Sequence, residues 1–322
     1  MNVDYLRISL TDMCNFNCIY CRPRKGVKIR DKSELLSFEE IKKLVNLAGF
    51  SGITKVRLTG GEPLLRKDLP TLARMIVRIK SIREVSITTN GTKLESLALK
   101  LKESGISRVN VSLSSLKRRK FARITGRDSL PQVLRGIEAA RRANLTPIKI
   151  NVVILKGIND DEILDFVEFA QKNSLVIRFI EHMPINGIGG TRWYIPNSHV
   201  KSTIEKKWGK LEPTSFIGNG PATYYQLKES GNPIGFISFI SHSFCERCNR
   251  LRLTFDGKLR PCLLSSYELD LKNVLRDKNC DEADLKKIFD LALGFKKEKR
   301  TGNISIMEKF HKTGKFMFQI GG

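Results

Sequence analysis

Six short β-rich runs alternate with amphipathic helical patterns over the first 182 residues, and this alternation restricts the fold more than any other feature. The runs are 5–10, 54–58, 84–88, 108–113, 148–155 and 175–180, and the helical patterns between them are 38–48, 69–79, 94–103, 130–143 and 162–171. Strands that alternate with helices are typical of βα units around a parallel sheet. Because six units are fewer than the eight of a complete barrel, the pattern predicts an α/β fold with a partial (β/α)6 TIM-type barrel. A doubly wound open sheet is the alternative.

Polar and glycine-rich segments follow four of the predicted strands. They are 59–63, 89–91, Ser112 with Ser114, and 181–184. Taken singly, each is typical of a turn that leads into a helix. Because the carboxyl ends of parallel strands meet at one rim, where α/β enzymes place their active sites, four such segments predict a shared site.

The pattern changes after Pro184. A glycine-rich link at 186–190 precedes a helical pattern at 197–208. Short strands are then predicted at 224–227, 233–239 and 251–255, with a hairpin turn at Asp256 and Gly257, and the basic tail from 285 to 322 begins with a helix. We therefore predict two units: residues 1–215 form the partial barrel and residues 216–322 form a C-terminal α+β extension.

The charge and hydropathy of the chain limit its partners. Lys and Arg total 57 against 33 Asp and Glu, a net charge of +24, which predicts an anionic partner, either nucleic acid or a phosphate-bearing small molecule. The 41% of apolar residues is enough for a packed core. No run approaches the ~20 apolar residues of a membrane span, and the chain does not open on a signal-like segment. These features predict a cytoplasmic protein without membrane association. We interpret the basic run 117–120 as solvated surface with no role in the site.

Six of the seven cysteines form two triplets with metal-ligand spacing, Cys14, Cys18, Cys21 and Cys245, Cys248, Cys262. In a cytoplasmic chain such spacing indicates metal binding, and thiolates favour zinc or iron–sulfur clusters. The first triplet can hold three irons of a [4Fe–4S] cube and leave the fourth iron open. The second fits either a zinc ribbon, with His242 or Cys280 as fourth ligand, or another cluster. The remaining cysteine, Cys280, is interpreted as a bystander.

The first triplet, with Tyr20 between its last two cysteines and the turn 60–63 after the second strand, resembles the radical S-adenosylmethionine (SAM) superfamily. The resemblance implies that SAM binds the open iron and that one electron cleaves it to methionine and a 5′-deoxyadenosyl radical. It also implies that the glycine turn receives the amino group of SAM.

The stretch 245–262 resembles, within that superfamily, the GTP 3′,8-cyclase family, as do 6–12, 57–64, 88–91, 110–113, 149–153, 156–160 and the terminal Gly-Gly. The resemblance implies a lyase of molybdenum cofactor biosynthesis. It further implies a second [4Fe–4S] cluster, held by Cys245, Cys248 and Cys262, whose open iron contacts the guanine of GTP.

The same resemblance assigns the remaining site residues. SAM contacts are Tyr20, Gly61, Ser112 and Met183. GTP contacts are Arg7, Arg57, Thr88, Lys149, Arg250, Leu251 and Arg252. The catalytic set is Arg250, Arg252, Gly321 and Gly322, the two glycines forming a tail that enters the site. Independently, guanidinium groups suit the charge and geometry of a triphosphate.

The family pattern also implies partners. They are an electron donor and a downstream cyclic pyranopterin synthase, with no nucleic acid, and a homodimer is compatible with the pattern. Met13 and Asn17 stand where cyclases commonly carry arginine, and Ser114 where they commonly carry aspartate. Two alternatives stay open at this point: a peptide-modifying radical enzyme with an auxiliary cluster, and a zinc-ribbon protein that binds nucleic acid.

Overall fold

The computed structural model describes residues 3–23, 32–216, 218, 220–228, 230–299 and 314–321. Strands β1–β12 are Tyr5–Ser9, Lys55–Thr59, Glu84–Thr89, Arg108–Ser112, Lys149–Ile154, Val176–Glu181, Glu212–Pro213, Thr223–Leu227, Ser230–Ile237, Arg250–Leu253, Lys258–Arg260 and Leu269–Asp270. Helices α1–α10 are Phe38–Phe50, Leu69–Val77, Leu94–Glu103, Arg118–Thr125, Leu130–Arg142, Ile163–Lys172, Asn197–Trp208, Leu271–Arg276, Glu282–Lys299 and Met317–Ile320. None of the helices in the described part of the chain combines the length and apolarity needed to cross a membrane.

Strands β1 to β6 are neighbours in chain order, and every pair among them is parallel. The helices between them bury an apolar stripe, as in α1, where Ile41, Leu44, Val45 and Ala48 are buried. A capping box formed by Ser37 and Glu40 fixes the start of α1. The six βα units confirm the partial (β/α)6 barrel.

Strands from the C-terminal part extend both edges of this parallel sheet. At one edge β10 pairs parallel with β1, and at the other edge β9 pairs parallel with β6. The antiparallel strands β11 and β12 continue beyond β10, and β8 and β7 continue beyond β9. The division at residue 215 stays a prediction, and strands from both sides of it share one sheet.

The basic run 117–120 forms the N-cap and the start of helix α4, which the sequence interpretation did not include. Its buried side chains are Phe121, Ile124 and Thr125, and its basic residues face outward. The helix ends at Gly126, which adopts φ 72°. A short apolar stripe is enough to hold this helix against the barrel, although basic residues dominate its composition.

Candidate functional site

A cavity of about 370 Å³ opens at the carboxyl ends of the barrel strands. Of the predicted site residues, it is lined by Arg7, Cys14, Cys18, Tyr20, Cys21, Arg57, Gly61, Thr88, Ser112, Lys149, Met183, Cys245, Cys248, Arg250, Arg252 and Cys262. The fold therefore brings both cysteine triplets and the predicted SAM and GTP contacts to one space. The side chain of Leu251 is fully buried in the hydrophobic core, so a GTP contact from this residue would come from its main chain.

The loop that carries the first triplet follows β1 and is held by α4. The main-chain N–H groups of Asn17 and Ile19 donate to Thr125 O and Ile124 O, at 2.8 and 3.0 Å. The ring of Phe16 packs edge-on against Phe121 in α4, with centroids 5.7 Å apart. A helix absent from the sequence interpretation thus fixes the loop that presents the three thiols.

The environment of the three thiols in this loop disfavours the free thiolate form. Burial raises the pKa of Cys18 well above its ordinary value, and the thiols of Cys21 and Cys14 raise it further. Burial and Cys14 likewise raise the pKa of Cys21 to about 12. Positively charged iron, when bound, would offset this cost by holding the thiolates as ligands.

The glycine turn after β2 lies directly against the cluster loop. Gly61 N donates to Thr11 O at 2.6 Å, and a Cβ on Gly61 would come within 2.2 Å of Met13 O. The next residue, Glu62, is buried and accepts hydrogen bonds from Asn90 N and Thr89 Oγ1. Burial raises its pKa to about 7 despite these bonds. Only glycine fits at residue 61, and a Cβ on Gly60, whose φ is 146°, would come within 2.6 Å of Thr11 O. Close packing against the cluster loop therefore requires both glycines.

Basic side chains from neighbouring strands form a row across the floor of the cavity. The strand register places Arg7 beside Arg252 and Arg57. Burial lowers the pKa of Arg252 to about 9, with Arg250 adding to the effect. Burial, with Arg178, Arg108 and Arg57 nearby, lowers the pKa of Lys149 to about 7. Assembling these cations away from water costs free energy that a polyanionic ligand would offset.

The second triplet lies where the C-terminal strands meet the barrel. Cys245 begins a one-turn 3-10 helix, and Cys248 ends it. Burial tends to raise the pKa of Cys248, but Arg250 and Lys296 outweigh it and the pKa falls to about 6. Lys296 Nζ lies 3.4 Å from Cys248 Sγ and 2.9 Å from Pro261 O. A thiolate at neutral pH is the form that binds metals.

Neither triplet is arranged around a single point. Among the residues that the structure describes, no three His, Cys, Asp or Glu side chains lie close enough to hold one metal ion. A [4Fe–4S] cube binds each thiolate to a different iron, so its ligands need not converge. Each triplet places three half-buried thiols on the cavity wall, a donor set that suits three irons of such a cube.

The C-terminal tail reaches the same cavity. Helix α10 ends at Gly321, whose φ is 72°, and Gly321 O accepts bonds from Arg7 Nε at 3.2 Å and Arg252 Nη1 at 2.9 Å. The guanidinium of Arg22 lies 4.2 Å from the ring centroid of Phe318, a residue of α10. Gly322 lies outside the described residues. The tail therefore contacts both the floor of the cavity and the residue that follows Cys21.

A buried ion network anchors this tail. Lys315 Nζ lies 3.1 and 3.0 Å from the two carboxylate oxygens of Asp256 and 3.1 Å from Glu268 Oε2. Glu268 also pairs with the fully buried Arg260, at 2.6 Å. Arg260 is the last residue of β11 and lies two residues before Cys262, so the network joins the tail to the strand that leads to this cysteine.

Replacing Lys315 with Met is expected to release the tail, because removing one partner of a buried ion pair typically costs about 3–5 kcal/mol. Faster digestion by carboxypeptidase and faster amide exchange at 314–321 would report the release. Lys315→Arg keeps the charge and should protect the tail almost as well as the parent residue does. Equal protection in Lys315→Met would contradict the anchoring role.

The cavity contains residues that the sequence interpretation missed. Arg108 and Arg178 project into it from β4 and β6, and Lys296 reaches it from α9. Arg178 is 7% exposed and is the single charged residue in the apolar interior of its strand. A lone cation inside a buried strand is a signal that could have identified it. Ser114, one of the three departures from the family pattern, lies 3.0 Å from Tyr20 through their hydroxyl groups.

Two family profiles and many individual proteins match this chain. The Radical SAM superfamily matches residues 8–170, and Molybdenum Cofactor Synthesis C matches residues 175–301. The GTP 3′,8-cyclase of Moorella thermoacetica is 45% identical over 99% of this chain and 98% of its own length. The GTP 3′,8-cyclase of Thermodesulfovibrio yellowstonii is 48% identical over 85% of this chain and 86% of its own length.

Solved structures share the fold at low sequence identity. Streptococcus suis SuiB bound to S-adenosylmethionine superposes with a TM-score of 0.59 and 16% identity, covering 87% of this chain and 66% of SuiB. The protein anSMEcpe with bound AdoMet has a TM-score of 0.51 and 18% identity, covering 63% of this chain and 57% of its own. These likenesses support the partial barrel.

Proposed function

The chain belongs to the GTP 3′,8-cyclase family of the Radical SAM superfamily, and from that membership we propose that it converts GTP to (8S)-3′,8-cyclo-7,8-dihydroguanosine 5′-triphosphate. This lyase reaction is the first step of molybdenum cofactor biosynthesis. The observation that carries the proposal is the meeting of two thiol triplets and a row of basic strand residues in one cavity.

Cys14, Cys18 and Cys21 hold a [4Fe–4S] cluster in this proposal, and Tyr20, Gly61, Ser112 and Met183 contact SAM. When bound, the cluster and SAM supply a 5′-deoxyadenosyl radical that removes the 3′ hydrogen of the ribose. The half-buried position of these thiols supports the assignment, because limited access keeps water away from a reactive site.

A second [4Fe–4S] cluster, held by Cys245, Cys248 and Cys262, belongs to the same proposal. Its ligands are neighbours of Arg250 and Arg252, which lie two residues apart in β10 and both face the cavity. Residues around this triplet would hold the guanine, and the cations on the floor would hold the triphosphate. Bringing C3′ of the ribose to C8 of the base in this way supplies roughly 7–11 kcal/mol of the barrier through proximity and orientation.

Arg250→Ala and Arg252→Ala are each expected to weaken GTP binding tenfold to a hundredfold, because a charge-assisted contact contributes roughly 1.5–3 kcal/mol. Calorimetry measures the affinity, and iron analysis should show an unchanged metal content. Arg83→Ala, which removes an exposed arginine outside the cavity, is the matched control. Unchanged affinity for GTP in both β10 variants would contradict the proposed role of these two arginines in binding GTP.

Anaerobically reconstituted protein tests the proposed function directly. About eight irons per chain are expected for two cubes and about four for one. SAM cleavage should depend on GTP, and the cyclic nucleotide should appear by mass spectrometry. Cleavage that responds to peptides and not to GTP would assign the chain to a peptide-modifying class. Zinc in place of iron would exclude radical chemistry.

The resemblance alone supports the remaining partners. We propose that the enzyme works in the cytoplasm, receives electrons from a separate donor, and passes its product to a cyclic pyranopterin synthase. The anionic partner predicted from the +24 charge is then GTP and not nucleic acid. A homodimer is a further prediction, which sedimentation analysis tests.

A further inference from the structure

Three exposed arginines lie on and beside the helix that holds the first cluster loop. Arg119 and Arg123 are four residues apart on the outer face of α4, opposite the buried Phe121 and Ile124. Arg127 follows the helix-ending Gly126 and is also exposed. We call Arg119, Arg123 and Arg127 the α4 arginines.

The α4 arginines differ from the other basic residues of this helix in their partners. Lys117 and Lys120 pair with Asp161, and Arg118 pairs with Asp128 at 2.8 Å. Among the residues that the structure describes, no carboxylate lies within 4.0 Å of an α4 arginine. Their charge is therefore directed to solvent and is not neutralised within the fold.

The helix that carries these arginines is in direct contact with the loop that carries the three thiols. A Cβ on Gly126 would lie 3.4 Å from Asn17 Cβ, and Asn17 precedes the cluster ligand Cys18. The N–H of Asn17 donates to Thr125 O, so the end of α4 is bonded to the residue next to Cys18. A protein seated on the α4 arginines would cover the outer side of the cluster loop.

An exposed apolar side chain lies in the same loop. Met13, which precedes Cys14, is 50% exposed, and Asn17 is exposed as well. Met13 thus belongs to the loop that α4 holds. Transient protein interfaces combine charges that guide the encounter with a small apolar part that supports contact.

We propose that the α4 arginines, together with Met13, form the docking surface for a small acidic electron-carrier protein that reduces the first cluster. This inference rests on the proposed function, because that function requires one electron at this cluster. The step is a single outer-sphere transfer in which the carrier is oxidised by one electron, the cluster is reduced by one, and no bond forms or breaks. Charge complementarity selects the partner: a chain of net charge +24 attracts an acidic protein.

Charge reversal tests the docking surface. The triple variant Arg119→Glu, Arg123→Glu, Arg127→Glu is compared with Arg74→Glu, Arg78→Glu, Arg83→Glu, which changes the net charge equally at exposed arginines on and after α2. Reduced flavodoxin, an acidic one-electron carrier, serves as the probe, and stopped-flow absorbance follows reduction of the cluster. Electrostatic steering changes association rates by 10–10³-fold, so we expect at least a tenfold slower bimolecular rate in the α4 variant only.

Two further measurements separate docking from the chemistry. The difference in reduction rate between the α4 variant and the parent should shrink as ionic strength rises from about 0.01 to 0.15 M, because the screening length falls from about 30 to 8 Å. Dithionite, which needs no protein surface, should drive GTP-dependent SAM cleavage at the parent rate in both triple variants. Equal flavodoxin rates in the two variants would overturn the docking surface. Failure of the dithionite reaction in the parent protein would instead overturn the proposed function.

Discussion

Replacing Cys14, Cys18 or Cys21 with Ala is expected to abolish SAM cleavage, whereas replacing Cys245, Cys248 or Cys262 should abolish cyclisation and spare some uncoupled cleavage. The two triplets lie in different parts of the wall and have different neighbours. The loop of the first triplet contacts Gly61 through Met13, and Cys21 contacts the tail at Phe318. In the second triplet, Cys248 interacts with Arg250 and Lys296. Loss of a ligand from either should lower the iron content from about eight toward about four per chain. Chromatography of 5′-deoxyadenosine and of the nucleotide product separates cleavage from cyclisation.

The seventh cysteine is the control for these variants. Cys280 does not belong to the described cavity lining, and its replacement with Ala should leave iron content and both activities unchanged. Full product formation in any of the six triplet variants would remove that residue from the ligand set. A loss of iron or of either activity in Cys280→Ala would show that the cluster ligands were assigned incorrectly.

Deleting Gly321 and Gly322 is expected to leave both clusters and GTP binding largely intact and to reduce radical formation at least a hundredfold. The deletion removes the carbonyl that Arg7 and Arg252 contact. Hydrogen bonds from charged donors contribute about 1.5–3 kcal/mol each. Losing two of them loosens the arginines but leaves in place the positive charges that attract the triphosphate. The rate of 5′-deoxyadenosine formation with GTP present is the measurement, and extra residues after Gly322 should have a similar effect.

A single substitution makes the same test with less disruption. Gly321 has φ 72°, and a Cβ there would come within 2.6 Å of Thr59 Oγ1, so Gly321→Ala should move the carbonyl and slow radical formation. Gly294→Ala is the matched control, because an added Cβ in α9 meets no atom within 4 Å. If the deletion variant forms the cyclic nucleotide at the parent rate, the tail has no role in catalysis and is an ordinary frayed terminus.

The barrel strands were predictable because each one carries its own local signal. Val85 and Ile87 in β3, and their counterparts in the other strands, are buried apolar residues in short β-rich runs. The structure confirms all six strands to within about two residues at their ends. The hairpin turn at Asp256 and Gly257 is also confirmed, because Gly257 adopts φ 76° between β10 and β11.

The pairing of the later strands was not predictable from local sequence. The run at 233–239 was expected to be a hairpin strand, and β9 does pair antiparallel with β8, but its other edge joins β6 in parallel. Parallel partners are joined by long connections, so no turn residue marks them. Helix α4 was missed for a different reason: basic residues fill its first turn, and only three of its side chains are buried.

The site residues also divide into those that local sequence could predict and those that it could not. Motif residues such as Cys14 and Gly61 were found because their type and spacing are unusual, and the structure brings them to one cavity. Lys296 and Lys315 have no motif, since their roles depend on partners that are 48 and 59 residues away, Cys248 and Asp256. Their importance arises from tertiary contacts alone.

The parallel pairing of β1 with β10 also determines the order in which the protein can be completed during synthesis. Tyr5 pairs with Arg250, and Ile177 pairs with Ile234. The outer edge of β1 therefore stays unpaired until a strand from late in the chain has been made. At 5–20 residues per second, the ribosome needs roughly 10–50 s to make the intervening segment. Unpaired strand edges promote aggregation, so the outer edges of β1 and β6 carry this risk until β9 and β10 emerge and pair with them.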